Sequence, residues 1–169
     1  MATFTVTTLD DEAFDSGDLT DETNDGNGLS LREALALAQD GDADITISGD
    51  NLSRIFSVSA GVSGGDPNNV SLYGLILSEG ALTDDDGGAI HLAGDTDLIL
   101  SHSIITGNQV TASTGTVYGG AIFGSASSTV IRAYDSVISN NAAYSGGGNV
   151  GYGGAISNFG QTFIYNSDI

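Results

Sequence analysis

The sequence predicts an all-β fold: a right-handed parallel β-helix, with three short strands in each coil of about 33 residues and a short capping α-helix at its N-terminal end. Three observations lead there. Glycine supplies 25 of 169 residues, about twice its usual ~7% share, whereas proline occurs only at Pro67. Such density disfavours long helices, because each interior glycine costs a helix ~1 kcal/mol, and the absence of a G-X-Y period excludes collagen. The tetrapeptide Gly-Gly-Ala-Ile recurs at Gly87, Gly119 and Gly153, with spacings of 32 and 34 residues. Between the copies the apolar residues fall in runs too short for a helix, separated by Gly, Ser, Asn and Thr.

The first 43 residues read as a cap. Met1 to Val6 has a strand's alternation, and Asp10 to Asn27 is an acidic loop. Leu31, Ala34, Leu35 and Ala38 then lie at i, i+3, i+4, i+7, which gives one apolar helix face over residues 31–40. Ser30 and Glu33 form a Ser-x-x-Glu capping box, and Gly41 is placed to stop the helix. A helix here would cover the open edge of a solenoid against aggregation.

Residues 44–169 read as coils. Ile45 to Ile47, Ile55 to Val58 and Val70 to Tyr73 alternate with period two, and Ser63 to Asn69 reads as a loop. From Gly87 onward the repeat is regular. Ile99 to Ile105 aligns with Arg132 to Ile138 and with Phe163 to Ile169. Asn108 and Asn141 each follow three residues after their copy's Ile, and are expected to stack as an internal amide ladder that satisfies corner backbone groups. The glycine pairs precede each first strand, where a tight corner needs positive φ or has no room for a Cβ.

A βαβ sheet would need helical crossovers, and none fits. A single coil buries too little to offset its backbone entropy, roughly 1–2 kcal/mol per residue, so neighbouring coils must cover its faces. The right hand follows from the general preference of parallel crossovers. The third copy stops at Ile169, three residues short of the expected Asn. The sequence thus reads as the N-terminal part of a longer solenoid, or as an end that pairs with another chain.

Charge narrows the function classes. Twenty-two Asp and Glu oppose three Arg and no Lys, for a formal net charge of −19. Phosphate backbones need cationic side chains, so nucleic acid is excluded as a partner. Anionic membranes and polyuronates are repelled for the same reason. Solubility of a β-rich protein is the simplest consequence of the acidity; cation binding is the second. There is no cysteine, hence no disulfide or thiolate metal site. No run of 18 apolar residues offers a transmembrane span. The N-terminus lacks a basic region followed by an apolar core, so an export signal lies elsewhere, was removed, or is not used.

Leu29-Ser30-Leu31-Arg32-Glu33-Ala34-Leu35, preceded by Asn24 to Gly28, resembles the CSLREAI motif of large bacterial surface and secreted proteins. Asp44 to Gly49 and Ser53 to Phe56 resemble the coils that follow that motif, and the GGAI units resemble the repeats of polymorphic outer-membrane proteins and other right-handed parallel β-helix proteins. The family's Cys is Leu29 here. The resemblance implies a β-helix displayed outside the cell and no defined activity.

Candidate chemistry is sparse. Asp21, Thr23, Asp25 and Asn27 alternate oxygen ligands before and after Gly26, as calcium loops do; the bidentate Glu of an EF-hand is replaced by Arg32. A solvated acidic loop is the simpler reading. Asp84, Asp85 and Asp86 form a second acidic run with the same alternatives. A lyase or epimerase would need a base plus positive charge on a uronate, and the bases present are Arg32, Arg54, Arg132, His91 and His102. Arg132 replaces Ile99 and Phe163 of the other copies and is expected to point outward; the two histidines read as surface or turn residues. Asp95 and Asp97, the one carboxylate pair for hydrolysis, read as turn residues. No catalytic residue and no required cofactor are assigned, with calcium the one cofactor the oxygens suit. Tyr134 and Tyr165 are repeat-equivalent, so a Tyr ladder is expected, either stacking on neutral sugars or stabilising the sheet.

The sequence thus predicts a non-catalytic structural segment of an extracellular or surface protein: stalk, matrix, layer or adhesin. Carbohydrate binding or polysaccharide processing along the solenoid face is the alternative. Expected partners are further copies or further coils, with glycans under the alternative.

Overall fold

The computed structural model describes residues 45–60 and 67–169. The capping helix expected at 31–40, and the calcium candidates Asp21, Thr23, Asp25 and Asn27, lie outside the described residues. A compact unit runs Ser48–Ile169, and the account that follows concerns that unit, with β1 described only by its bounds. Among the described residues all regular structure is β. The strands form a parallel β-solenoid of about four turns.

The coils share one plan. After β1 (Ile45–Ser48), the first coil carries β2 (Phe56–Val58), β3 (Asn68–Tyr73), β4 (Leu75–Ser78) and β5 (Ala81–Thr83). The next has β6 (Ile90–Leu92), β7 (Thr96–Ser101), β8 (Ile104–Thr106), β9 (Gln109–Ala112) and the two-residue β10 (Val117–Tyr118). The third has β11 (Ile122–Gly124), β12 (Val130–Tyr134), β13 (Val137–Ser139), β14 (Ala142–Ser145) and β15 (Gly151–Tyr152). β16 (Ile156–Asn158) and β17 (Gln161–Tyr165) open the fourth. The first coil thus has four strands and the next two a short fifth as well, where the sequence predicts three. The fourth, Gln109–Ala112, was masked by its composition: its inward residues Val110 and Ala112 are buried, but Gln and Thr between them read as loop. Asn68 and Asn69, expected in a loop, belong to β3.

Registry follows the repeat. Ile90, Ile122 and Ile156 pair along one column, and Ile99, Arg132 and Phe163 along another. The inward columns of the middle coils include apolar pairs that are essentially inaccessible: Leu98 with Ile131, Leu100 with Ala133, and Ile105 with Ile138. Burial fades in the fourth coil, where Ile164, in register with Ala133, is 38% exposed. An inward side chain is covered only when a coil lies on both sides of it.

The glycine pairs meet the corner's two demands, a left-handed backbone and close approach of neighbouring chain. The first of each pair takes the left-handed backbone: φ is 69° at Gly87 and 63° at Gly119 and Gly153. In the first two pairs the second glycine has no room for a side chain either: a Cβ on Gly120 would lie 2.1 Å from the carbonyl oxygen of Gly154 and 2.4 Å from the carbonyl carbon of Ala142. Alanine after the pair and isoleucine after that begin the inward column.

Two polar ladders run inside. The Gly80 N–H donates to Asn108 Oδ1 (2.8 Å), and the Asn108 N–H donates to Asn141 Oδ1 (2.9 Å). Asn108 Nδ2 donates in turn to Leu77 O, Thr106 O and Asn141 Oδ1, at 3.1, 3.1 and 3.0 Å. This is the expected amide ladder, and it satisfies backbone groups that the corner removes from the sheets. A serine ladder parallels it at the preceding corner: Leu75 N–H to Ser103 Oγ, Ser103 N–H to Ser136 Oγ, Ser136 N–H to Ser167 Oγ.

Candidate functional site

Two outward clusters carry the polar and aromatic side chains that the fold brings together. The first surrounds His91 on β6. Arg54 precedes β2, and Asp84 to Asp86 precede β6, one coil later. Stacking the coils places the Arg54 guanidinium on Asp85 (2.9 Å) and on the Asp86 and Gly87 carbonyls (2.6 and 3.1 Å). Asp86 accepts the Tyr118 N–H of the following coil at 2.7 Å. The imidazole of His91 lies parallel to the Phe123 ring, centroids 5.5 Å apart, and its buried Nε2 has no hydrogen-bond partner. Phe123 stacks on Tyr118, and Tyr118 on Tyr152. Phe159 meets Tyr118 and Phe123 edge-on.

The electrostatics of this cluster are structural. Partial burial, then the Arg54 charge, hold the His91 imidazole below its ordinary value, with Asp85 and Asp86 opposing. Burial pushes the Asp86 carboxyl up; the Tyr118 N–H counters this and the neighbouring Asp85 adds to it. Burial would also raise Asp85, but the Asp86 N–H and the Arg54 guanidinium together outweigh it and hold that carboxyl below its ordinary range. Asp85 is thus committed to Arg54 and Asp86 to a backbone N–H. They line a polar recess of about 150 Å³ with Asp84, Thr114 and Thr116, but among the described residues no three His, Asp or Glu side chains converge to hold a metal ion. Within the acidic run Asp84 to Asp86, the Asp85 and Asp86 carboxylates are thus engaged by groups of the protein itself.

His91 gives a pH-dependent stability. Its folded pKa is depressed, so its contribution is complete above the unfolded value of about 6.5 and is lost as pH falls toward the folded value. Asp85 and Asp86 shift in opposite directions. His91→Phe keeps the stack on Phe123 and removes the unpartnered nitrogen. Thermal melts from pH 7 to pH 5 are expected to show the wild type losing ground to the variant; parallel Tm curves would exclude this role for His91.

The second cluster lies on the outward face of β3, β7, β12 and β17. Arg132 does point outward, pairs with Asp97 and sits over the Phe163 ring at 5.7 Å from its centroid. Tyr134 and Tyr165 pair in register, their rings stacked at 5.0 Å and 6°. Each therefore turns one face to the other, the arrangement that stabilises adjacent strands. His102 stands at the corner after β7 in the left-handed region (φ 51°), as a turn residue. Asp97 is a strand residue paired with Arg132, and the Asp95 carbonyl accepts the Asn68 N–H.

Sequence reasoning missed the ion pairs, although the period held the signal. One period added to Arg54 lands beside Asp85 and Asp86; one period added to Asp97 lands beside Arg132. The fold and these clusters define a repeat protein of the parallel β-solenoid class. No protein family, curated protein or solved structure matches the chain. No helix among the described residues is long and apolar enough to cross a membrane.

Proposed function

We propose that this chain is a non-catalytic structural segment of an extracellular or bacterial cell-surface protein, serving as a rigid stalk, matrix, layer or adhesin scaffold. The observation that supports it best is the division of labour across the coils. Inward columns keep small or apolar side chains, with Ser and Asn recurring at the corners. The outward column Ser71, Ile99, Arg132, Phe163 changes at every step. Selection for such a pattern favours a persistent ladder over any one constellation on its surface. In this reading the solenoid is right-handed, the helix at 31–40 caps it, and calcium bound by Asp21, Thr23, Asp25 and Asn27 stiffens the acidic entry. The likeness of residues 29–35 and of the GGAI units to CSLREAI-type surface proteins supports the location.

Antibodies raised to the purified chain, applied to intact cells of the source organism, test the reading. Labelling of the outer surface or of extended projections is expected. Labelling that requires permeabilised cells would overturn it.

A further inference from the structure

The sheet of β5, β9 and β14 is bordered by a cleft that neither outward cluster uses. β5 is an edge strand of that sheet, and where a further strand would pair with it stands the turn of residues 49–53. Backbone bonds hold the turn in place: Gly49 N–H donates to Ser78 O (2.9 Å), Asn51 N–H to Glu79 O (2.7 Å), and Ala81 N–H to Ser53 O (3.1 Å). Its tip is strained. Asp50 and Asn51 both take the left-handed backbone, with φ of 49° and 55°, a region that non-glycine residues seldom enter. Such strain persists only where the surrounding bonds impose it. Between this tip and the outward side of β5 and β9 lies a cleft of about 410 Å³, within the size range of small-molecule sites.

The floor of the cleft is small and polar. Ala81 pairs with Gln109 and Thr83 with Thr111. These four positions lie two residues apart along each strand and one strand apart across the pair, a patch of about 6.6 Å by 4.8 Å that one sugar ring covers. Asn51 and Leu52 form the wall. Leu52 is 81% exposed, an apolar side chain held out in water by the pinned turn. Among the described residues the Asn51 and Gln109 side-chain amides have no hydrogen-bond partner, so each offers a carbonyl and an NH₂ to the cleft. Thr111 Oγ1 donates to Leu82 O at 3.3 Å and lies 3.5 Å from Thr83 Oγ1, which leaves Thr83 Oγ1 able to accept from a ligand. No charged side chain lines the cleft, so an ionic ligand would find no counter-charge there. The net charge of −19 further repels uronates and phosphorylated sugars. The geometry points to a binding site for one hexose residue of a neutral glycan, with its hydroxyls on Asn51, Gln109 and Thr83 and its C–H surfaces against Ala81 and Leu52. The site is separate from the Tyr134–Tyr165 pair, which stands on the sheet of β3, β7, β12 and β17.

Titration of the purified chain with cellohexaose, maltohexaose, mannohexaose and chitohexaose tests it, followed by isothermal calorimetry and by the side-chain amide signals in NMR spectra, with an oligogalacturonate as the anionic control. Saturable binding of a neutral sugar that shifts the Asn51 and Gln109 amide signals is expected, and no binding of the uronate. Asn51→Gly suits the left-handed backbone and removes the amide; it should keep the wild-type Tm and weaken binding about tenfold. A variant that melts no lower and binds less cannot owe the loss to unfolding. Gln109→Leu keeps the bulk of the side chain and carries the same expectation for binding. Gln161→Ala removes an exposed amide from β17, outside the cleft, and should bind as wild type does. Failure of all these neutral sugars to bind, binding that leaves both amide signals unmoved, or binding undiminished in both Asn51→Gly and Gln109→Leu would overturn the site.

Discussion

Gly120→Ala is expected to destabilise the solenoid by about 3 kcal/mol or more. The new Cβ would fall 2.1 Å from the Gly154 carbonyl oxygen, in the glycine corner of the next coil, and 2.4 Å from the Ala142 carbonyl carbon at the start of β14. Neither is a flexible side chain, so relief requires coils to move apart, and that breaks ladder bonds such as Gly120 N–H to Gly153 O. Two companion variants separate the contributions. Gly107 has φ of 68° but open space around it, so Gly107→Ala should cost only the left-handed strain, about 1–2 kcal/mol. Gly119 combines positive φ with a Cβ position 2.1 Å from Ile122 O, so Gly119→Ala should be the worst of the three. Urea denaturation midpoints would rank them. Gly120→Ala as mild as Gly107→Ala would mean that the coils do not approach as described.

The second large effect belongs to Asn108, which is wholly inaccessible. Asn108→Asp keeps the shape and replaces the amide NH₂ by oxygen. That oxygen would face Leu77 O, Thr106 O and Asn141 Oδ1, all of which now accept from Nδ2. Buried acceptors lose their donor, at about 1–3 kcal/mol each without strict additivity, and a buried unpaired carboxylate adds to this. A loss of about 3 kcal/mol or more at neutral pH is therefore expected. Burial would raise the folded pKa of the introduced carboxyl. The folded variant then takes up the proton before the unfolded chain does, and its deficit should shrink as pH falls. Asn140→Asp, on the exposed corner one residue before Asn141, should be nearly neutral by comparison. An Asn108→Asp protein as stable as wild type at pH 7 would refute the ladder.

These two positions also show what the sequence reveals. Gly120 and Asn108 are legible because they recur in fixed order, and a recurrent glycine or asparagine in a solenoid must answer a demand made in every coil. The inward apolar columns are legible for the same reason. Ser103, Ser136 and Ser167 align in the repeat just as well, but serine at a corner also reads as ordinary turn chemistry, so its bonds to the next coil become apparent only in three dimensions. The strand Gln109–Ala112 escapes because two of its four residues are polar, and in a parallel coil only Val110 and Ala112 need face the core. The outward clusters are the least legible. His91, Arg54 and Asp86 do not repeat; they meet only because stacking brings positions about one period apart into contact.

The claim on which all of this rests is that successive coils stack in parallel and in register at the period of the Gly-Gly-Ala-Ile repeat. Backbone NMR contacts between strands measure it directly. The structure predicts interstrand contacts joining Ile90 to Ile122, Ile122 to Ile156, and Leu98 to Ile131 and onward to Thr162. Contacts that instead join β7 to β8, or β12 to β13, as antiparallel neighbours would contradict it, and with it the ladders and the scaffold built on them.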